Sequence, residues 1–204
     1  KIKKHKHGYN KLEYYVDNYS TGFPFKSENY VEDGVPLIRI TNINNGVLDI
    51  TSAVKIPYDE LYLSEINIAK ENDILISMSG TIGNSCKIPS NIVAAVNQRI
   101  MRITPKNIDD KLLPLIINSI IGKNQLERIG TGGVQTNISA NDILNILIPT
   151  LTDSQQQKIA ELVDESFRLK NQSEQLLETA KRAVEIAIEK DENEALKFIE
   201  SVNA

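Results

Sequence analysis

The chain has 204 residues, of which 41% are hydrophobic and 25% charged, the make-up of a globular protein long enough for one domain with an appendage. No apolar run approaches the roughly 20 residues of a membrane span, Lys1–His7 leads into polar sequence rather than the apolar core of a secretory signal, and the single cysteine, Cys86, cannot close an internal disulfide and fits a reducing cytoplasm. The net charge of −4 argues against a nucleic-acid partner only until it is divided: residues 160–204 hold 11 acidic and 6 basic side chains, a net of −5, and residues 1–159 hold 16 acidic and 17 basic, a net of +1, so the larger part is free to place a basic face toward phosphate.

The chain starts on Lys rather than Met, which is expected of a trimmed piece of a longer protein. Residues 9–20 mix Tyr, Leu and Val with charge as an amphipathic start, and Thr21-Gly22-Phe23-Pro24-Phe25-Lys26-Ser27 is turn-like. VPLIRI, Val35 to Ile40, reads as a strand. Its Pro36 predicts a first-residue or edge position, because proline lacks the N–H a ladder needs. Asn44-Asn45-Gly46 marks a tight turn, followed by a short return over Val47–Ile50 and Ala53–Ile56. Asp59 to Ala69 is predicted to form a short helix. DILISM, Asp73 to Met78, reads as a strand, turned by Ser79-Gly80-Thr81-Ile82-Gly83-Asn84. Further strands are predicted over Ser85–Ile88, Ile92–Ala95 and Gln98–Ile103, with Pro105 ending the run.

Lys111 to Ile121 and Lys123 to Ile129 read as two helices parted by Gly122. The loop GTGGVQTNIS, residues 130–139, follows, then a short apolar segment over Asp142–Ile148 ending at Pro149. Thr152, Asp153 and Ser154 are each followed three residues later by Gln, a capping-box pattern. From there to about Lys190 there is neither Gly nor Pro, which predicts a helix of roughly 36 residues, about 54 Å long. Ile159, Leu162, Ser166, Leu169, Ser173, Leu176, Ala180, Ala183 and Ala187 alternate in spacings of three and four along it. Such a seam suits an antiparallel coiled coil; a helix lying against its own globular head is the other reading.

Several chemistries can be weighed by their missing residues. The glycine loop has no Gly-Lys-Ser or Gly-Lys-Thr at Walker spacing and does not match G-x-G-x-x-G. The chain contains no Pro-Pro, so it lacks the Asn- or Asp-Pro-Pro-aromatic tetrad of an adenine methyltransferase. His5 and His7 lie in a basic tail and Cys86 stands alone, so no metal site and no cofactor is expected. Asp109-Asp110-Lys111 precedes a helix, where acidic residues serve the N-terminal dipole better than they would serve a nuclease. No catalytic residue is expected.

GVPLIRITNINNG, ENDILISMSGTIG, VNQRIMRI, GTGGVQTNISANDILNILIP and a Gln-rich helix start closing on LLETAKRAVEIAIE occur in this order. With these motifs the chain resembles, from about Leu12 to Glu189, a target-recognition domain of the specificity (S) subunit of type I restriction–modification systems. The resemblance implies an α+β fold: a mixed, mostly antiparallel sheet head over residues 1–150, a long coiled-coil-forming helix over 151–190, and a short acidic helical tail over 191–204. It also implies recognition of double-stranded DNA by a non-catalytic subunit. Methyltransferase subunits would dock on it and methylate adenine, with the restriction subunit as a further partner. S subunits usually carry two such domains, whose long helices pair antiparallel as a ruler between two half-sites, and similar domains are fused to single-chain restriction–methylation enzymes. This chain has one domain and one long helix, which leaves open a half-size subunit that forms a homodimer, a fragment, or the recognition end of a fused enzyme. Thr150 to Gln157 departs from the family's more usual second proline and Glu-Gln pair, a variation in capping.

Base readout needs two-pronged partners, Arg for guanine and Asn or Gln for adenine, while Lys, Arg, Ser and Thr fix the register on phosphate. The candidates are Lys26 and Ser27 in the first turn; Arg39, Thr41, Asn42 and Asn44 at a strand end; and Ser79, Thr81 and Asn84 in the Gly-x-x-Gly turn. That turn is like the RNA-clamping KH loop only superficially, since strands flank it. Asn97 and Gln98 are expected to be buried amides that tie loops together. Arg99 and Arg102 are expected to share one solvent face, and Lys123 and Arg128 flank the glycine loop. Gln135 and Asn137 have adenine-reading chemistry, but the loop matches a motif shared by subunits that read different sequences, so a structural or backbone-contacting role is favoured. Helix pairing is assigned to Ile159, Leu162, Leu169, Leu176, Ala180, Ala183 and Ala187.

Overall fold

In a computed structural model of the chain, residues 6–44, 46–59, 68–130 and 137–203 are described. The chain divides into two compact units, Lys1–Gln156 and Gln157–Ala204. Among the described residues the first holds β1 (Tyr9–Lys11), β2 (Val16–Thr21), β3 (Val35–Ile38), β4 (Ile43–Asn44), β5 (Val47–Leu48), β6 (Val54–Ile56), β7 (Ile68–Ala69), β8 (Ile74–Ser77), β9 (Ser85–Lys87), β10 (Ala94–Val96) and β11 (Ile100–Pro105). The helices α1 (Leu112–Asn118), α2 (Ile120–Ile129) and α3 (Ala140–Leu144) and the strand β12 (Leu147–Pro149) complete it. Then comes α4 (Asp153–Glu189), a helix of 37 residues that runs into the second unit, and α5 (Glu192–Asn203).

The fold is mixed α+β with mostly antiparallel sheets. One sheet has the order β2-β11-β8-β9 and the other β6-β3-β10-β7, with β3 and β10 parallel; β1 pairs with β12, and β4 with β5. The inner strands of the first sheet, β11 and β8, are buried on both faces, which is why Ile74-Leu75-Ile76 is a continuous apolar run rather than an alternation. On one face Ile74, Ile76, Met101 and Ile103 meet Leu113, Ile117 and Leu126 of the helices. On the other, Leu75, Cys86 and Ile100 meet Ile38, Ala94 and Val96 of the second sheet. Phe25, Val35, Leu37, Ile56 and Ala95 close that sheet's far side. Burial at Cys86 pushes its thiol up to about 12, so it is inert packing.

The boundaries differ from the sequence reading in instructive places. Residues 9–20 are not one amphipathic element but β1, a 3-10 turn over Leu12–Tyr15, and β2. β3 is an inner strand, not an edge. Pro36 is tolerated because pairing with β10 begins only at Leu37, so the missing N–H falls outside that ladder. The predicted helix over 59–69 ends in β7 instead, and its residues 60–67 lie outside the described residues. α1 and α2 are parted at Ser119, not Gly122: the Ser119 backbone is extended and its hydroxyl accepts from the Ile121 N–H at 3.2 Å, an N-cap. Gly122 sits inside α2 because a Cβ there would lie 2.1 Å from the Ile117 carbonyl oxygen. The start of α4 is set by Thr152, whose hydroxyl accepts from the Gln155 N–H at 3.3 Å while the Gln155 side chain accepts from the Thr152 N–H at 3.0 Å.

Candidate nucleic-acid interface

Backbone hydrogen bonds gather motifs far apart in sequence at one end of the two sheets. The Asn97 N–H donates to the Ile38 carbonyl at 2.9 Å, and the Phe23 N–H to the Val96 carbonyl at 2.9 Å. Gln98 N–H donates to the Phe23 carbonyl at 3.1 Å, and Met78 N–H to the Arg99 carbonyl at 2.9 Å. Ile138 N–H then donates to the Met78 carbonyl at 3.0 Å, and Ser79 forms an antiparallel bridge with Asn137. The turn Asn97-Gln98-Arg99 is therefore the hub that joins the Phe23–Ser27 turn, the end of β3, the turn after β8 and Asn137. Gly22 makes the join close: a Cβ there would lie 2.2 Å from the Asn97 carbonyl oxygen. Gly83, with φ +76°, brings the turn after β8 against Leu126 of α2.

The predicted DNA residues separate into two groups. Lys26, Ser27, Thr41, Asn44, Thr81, Arg99, Arg128 and Asn137 are exposed, with Arg39 and Lys123 half-buried. Lys26 has Glu28 at 3.3 Å. Asn42, Ser79, Asn84 and Arg102 are buried. Asn42 takes the Arg39 N–H on its Oδ1 at 2.9 Å and donates to the Asp49 carbonyl at 3.2 Å and the Ser52 hydroxyl at 3.1 Å. Asn84 donates to the Ile43 carbonyl at 3.3 Å. These amides hold loops rather than face solvent. Gln135 lies outside the described residues.

Arg102 corrects the expectation of a shared solvent face with Arg99. Residues three apart on a strand point to opposite sides, and Arg102 shares the inner face with Ile100. There its Nη1 meets both Asp73 carboxylate oxygens at 3.3 Å and its Nε donates to the Ser20 hydroxyl at 3.1 Å. Gln98 also departs from expectation: it is exposed, not a buried amide, and with Met78, Ser79, Arg99, Asn137 and Ile138 it lines an open depression. Asp142 supports the end of the glycine loop. Hydrogen bonds from the Ser139 hydroxyl and backbone N–H lower its carboxyl from the usual range, a reciprocal cap of α3. The Ser52 and Thr51 hydroxyls do the same for Asp49. No group of His, Cys, Asp and Glu fit to hold a metal occurs among the described residues.

In the second unit the predicted seam is open along most of its length. Leu162, Leu169 and Leu176 are 70%, 50% and 53% exposed, Ala180 and Ala187 are exposed and Ile159 is half-buried, but Ala183 is covered at 6%. Val184 and Ile188, which lie off this seam, are 60% and 80% exposed. No helix among the described residues is long and apolar enough to cross a membrane.

Comparisons with known proteins bear on the family and the fold. Residues 18–179 match the family model described as Type I restriction modification DNA specificity domain. The chain is 28% identical over 174 residues to the specificity subunit of the type I restriction enzyme EcoAI of Escherichia coli, covering 82% of this chain and 29% of that subunit. It is 28% identical over 184 residues to the MjaVIII specificity subunit of Methanocaldococcus jannaschii, covering 85% of this chain and 43% of that subunit. The chain thus spans less than half the length of these relatives. Its fold is that of the type I restriction–modification S subunit from M. genitalium, with TM-score 0.63, 16% identity and coverage of 90% and 45%. The type IIG restriction endonuclease BpuSI also shares it, with TM-score 0.60, 13% identity and coverage of 80% and 27%. With more than half of its residues inside the matched model, the chain belongs to the type I restriction modification DNA specificity domain family.

Proposed function

We propose that residues 1–150 read one half-site of double-stranded DNA and direct the methyltransferase and restriction subunits of a restriction–modification system to it. The observation that carries this reading is the convergence of the 23–27, 39–44, 79–84 and 97–99 loops and Asn137 on one edge, with polar and cationic side chains outward. Such loops supply base-reading amides and guanidinium groups together with phosphate contacts. The catalytic work belongs to the partner subunits. Fluorescence anisotropy against a random duplex pool tests it: affinity should fall by about 0.9 log units per log unit of salt for each neutralised phosphate. Arg99→Ala should weaken binding evenly across sequences and lower that slope by about one. Unchanged DNA retention in both Lys26→Ala and Arg99→Ala, with partner binding kept, would show an interaction module instead.

The open strip of α4 supports a role for it in helix pairing and spacing, with α5 as a short acidic tail. A second copy of the chain is the partner under the half-size reading. Leu169→Asp or Leu176→Asp then places a carboxylate in the seam and should convert a dimer to a monomer in light scattering. A wild-type monomer would contradict pairing between copies. The fold shared with BpuSI supports a second arrangement, the recognition segment of a single-chain restriction–methylation enzyme, which mapping the ends of the native gene product separates from a free subunit.

A further inference from the structure

Arg39, at the end of β3, is held at both its side chain and its backbone. Its guanidinium carbon lies 5.8 Å from the centroid of the Tyr30 ring, a cation–π shelf. Its backbone N–H is fixed on Asn42 Oδ1 at 2.9 Å, and Asn42 is itself 1% exposed and anchored to the Asp49–Ser52 loop. Among the described residues the guanidinium has no hydrogen-bond acceptor and no carboxylate partner, and its Nε is covered. Arg102, by contrast, spends its charge on Asp73. Lys26 is 75% exposed on a long stem beside Glu28, which suits a phosphate, whose position matters more than its orientation.

We propose that Arg39 is a base-reading residue of this interface and takes the O6/N7 edge of a guanine in the major groove. The inference rests on the reading of the head as a duplex-DNA binder. A guanidinium fork matches two acceptors in one plane, and guanine offers such a pair. Fixing the fork in advance removes the ordering cost that a flexible side chain would meet on binding. A phosphate contact needs no such fixing, so the shelf and the clamp point to base readout. Tyr30 and Asn42 are positioning residues: one supports the guanidinium, the other pins the backbone that carries it.

Selection from a random duplex pool by the wild type, Arg39→Lys and Tyr30→Leu tests the assignment, followed by anisotropy on the enriched duplex and on single base-pair variants. The wild type should discriminate against replacement of one G·C pair by roughly tenfold to a hundredfold. Arg39→Lys keeps the charge and loses the fork, so it should lose that discrimination while preferences at the other positions and the salt slope stay. Tyr30→Leu should lose it at the same pair, and its retention there would overturn the shelf. An unchanged motif with Arg39→Lys, or an even weakening on all sequences, overturns the guanine assignment alone. A wild type that enriches no sequence defeats the DNA reading itself and this inference with it.

Discussion

Asp73→Ala is expected to lower the stability of the head by about 3–5 kcal/mol, the cost of leaving a buried charge without its partner. Asp73 and Arg102 have side chains 1% and 8% exposed, so the guanidinium left behind could not reach water without moving the sheet. The carboxylate also accepts from the Thr104 hydroxyl at 2.7 Å and the Lys70 N–H at 3.0 Å. One residue therefore ties β11 to the entry of β8, and Arg102 extends the tie to Ser20 on β2. Urea unfolding monitored by circular dichroism would measure the loss. Asp73→Asn keeps the shape but not the charge and should also be strongly destabilising. Arg102→Met combined with Asp73→Leu removes both charges and should recover part of the loss, because an apolar replacement of a buried pair is often tolerated. A single Asp73→Ala within 1 kcal/mol of wild type would contradict the role given to this pair.

Gly22→Ala is expected to damage both the fold and the interface. The added Cβ would lie 2.2 Å from the Asn97 carbonyl oxygen and 2.3 Å from that of Val96. These are backbone atoms, so the Gly22 and Val96–Asn97 backbones must move apart. Overpacking of this kind costs about 1–3 kcal/mol. Asn97 is also the hub of the loop cluster, so DNA affinity should fall beyond the stability loss, measured at a temperature where the variant remains folded. Thr21→Ala, exposed and next in the chain, is the comparison and should change neither. Equal affinity of Gly22→Ala and wild type would separate the hub from binding.

How much of this was legible in the sequence depends on which interactions set each feature. The strand ILIS, the antiparallel pairing of β4 with β5 and the 37-residue helix α4 follow from local pattern and capping, and periodicity reads such signals directly. The inner place of β3 was not legible, because it depends on β10, more than 50 residues on, reaching only as far back as Leu37. Ser119 rather than Gly122 parts α1 from α2 for a similar reason: the glycine answers to a close approach of Ile117, not to a turn. Among the site residues, residue type identified amides and cations suited to DNA but not the side they face. Asn42, Asn84 and Arg102 are drawn inward by partners from other elements, and Gln98 is left outside by its turn. The hub at Asn97 is made of backbone hydrogen bonds, which no side-chain pattern announces.

The central claim is that this chain reads one half-site in duplex DNA. The most direct measurement is enrichment from a random duplex pool, followed by fluorescence anisotropy on the enriched duplex and a scrambled duplex of the same composition. A single short motif, bound more tightly than its scrambled counterpart and with an affinity that falls as salt rises, is the predicted result. No enriched motif and equal, salt-insensitive binding of both duplexes would contradict it.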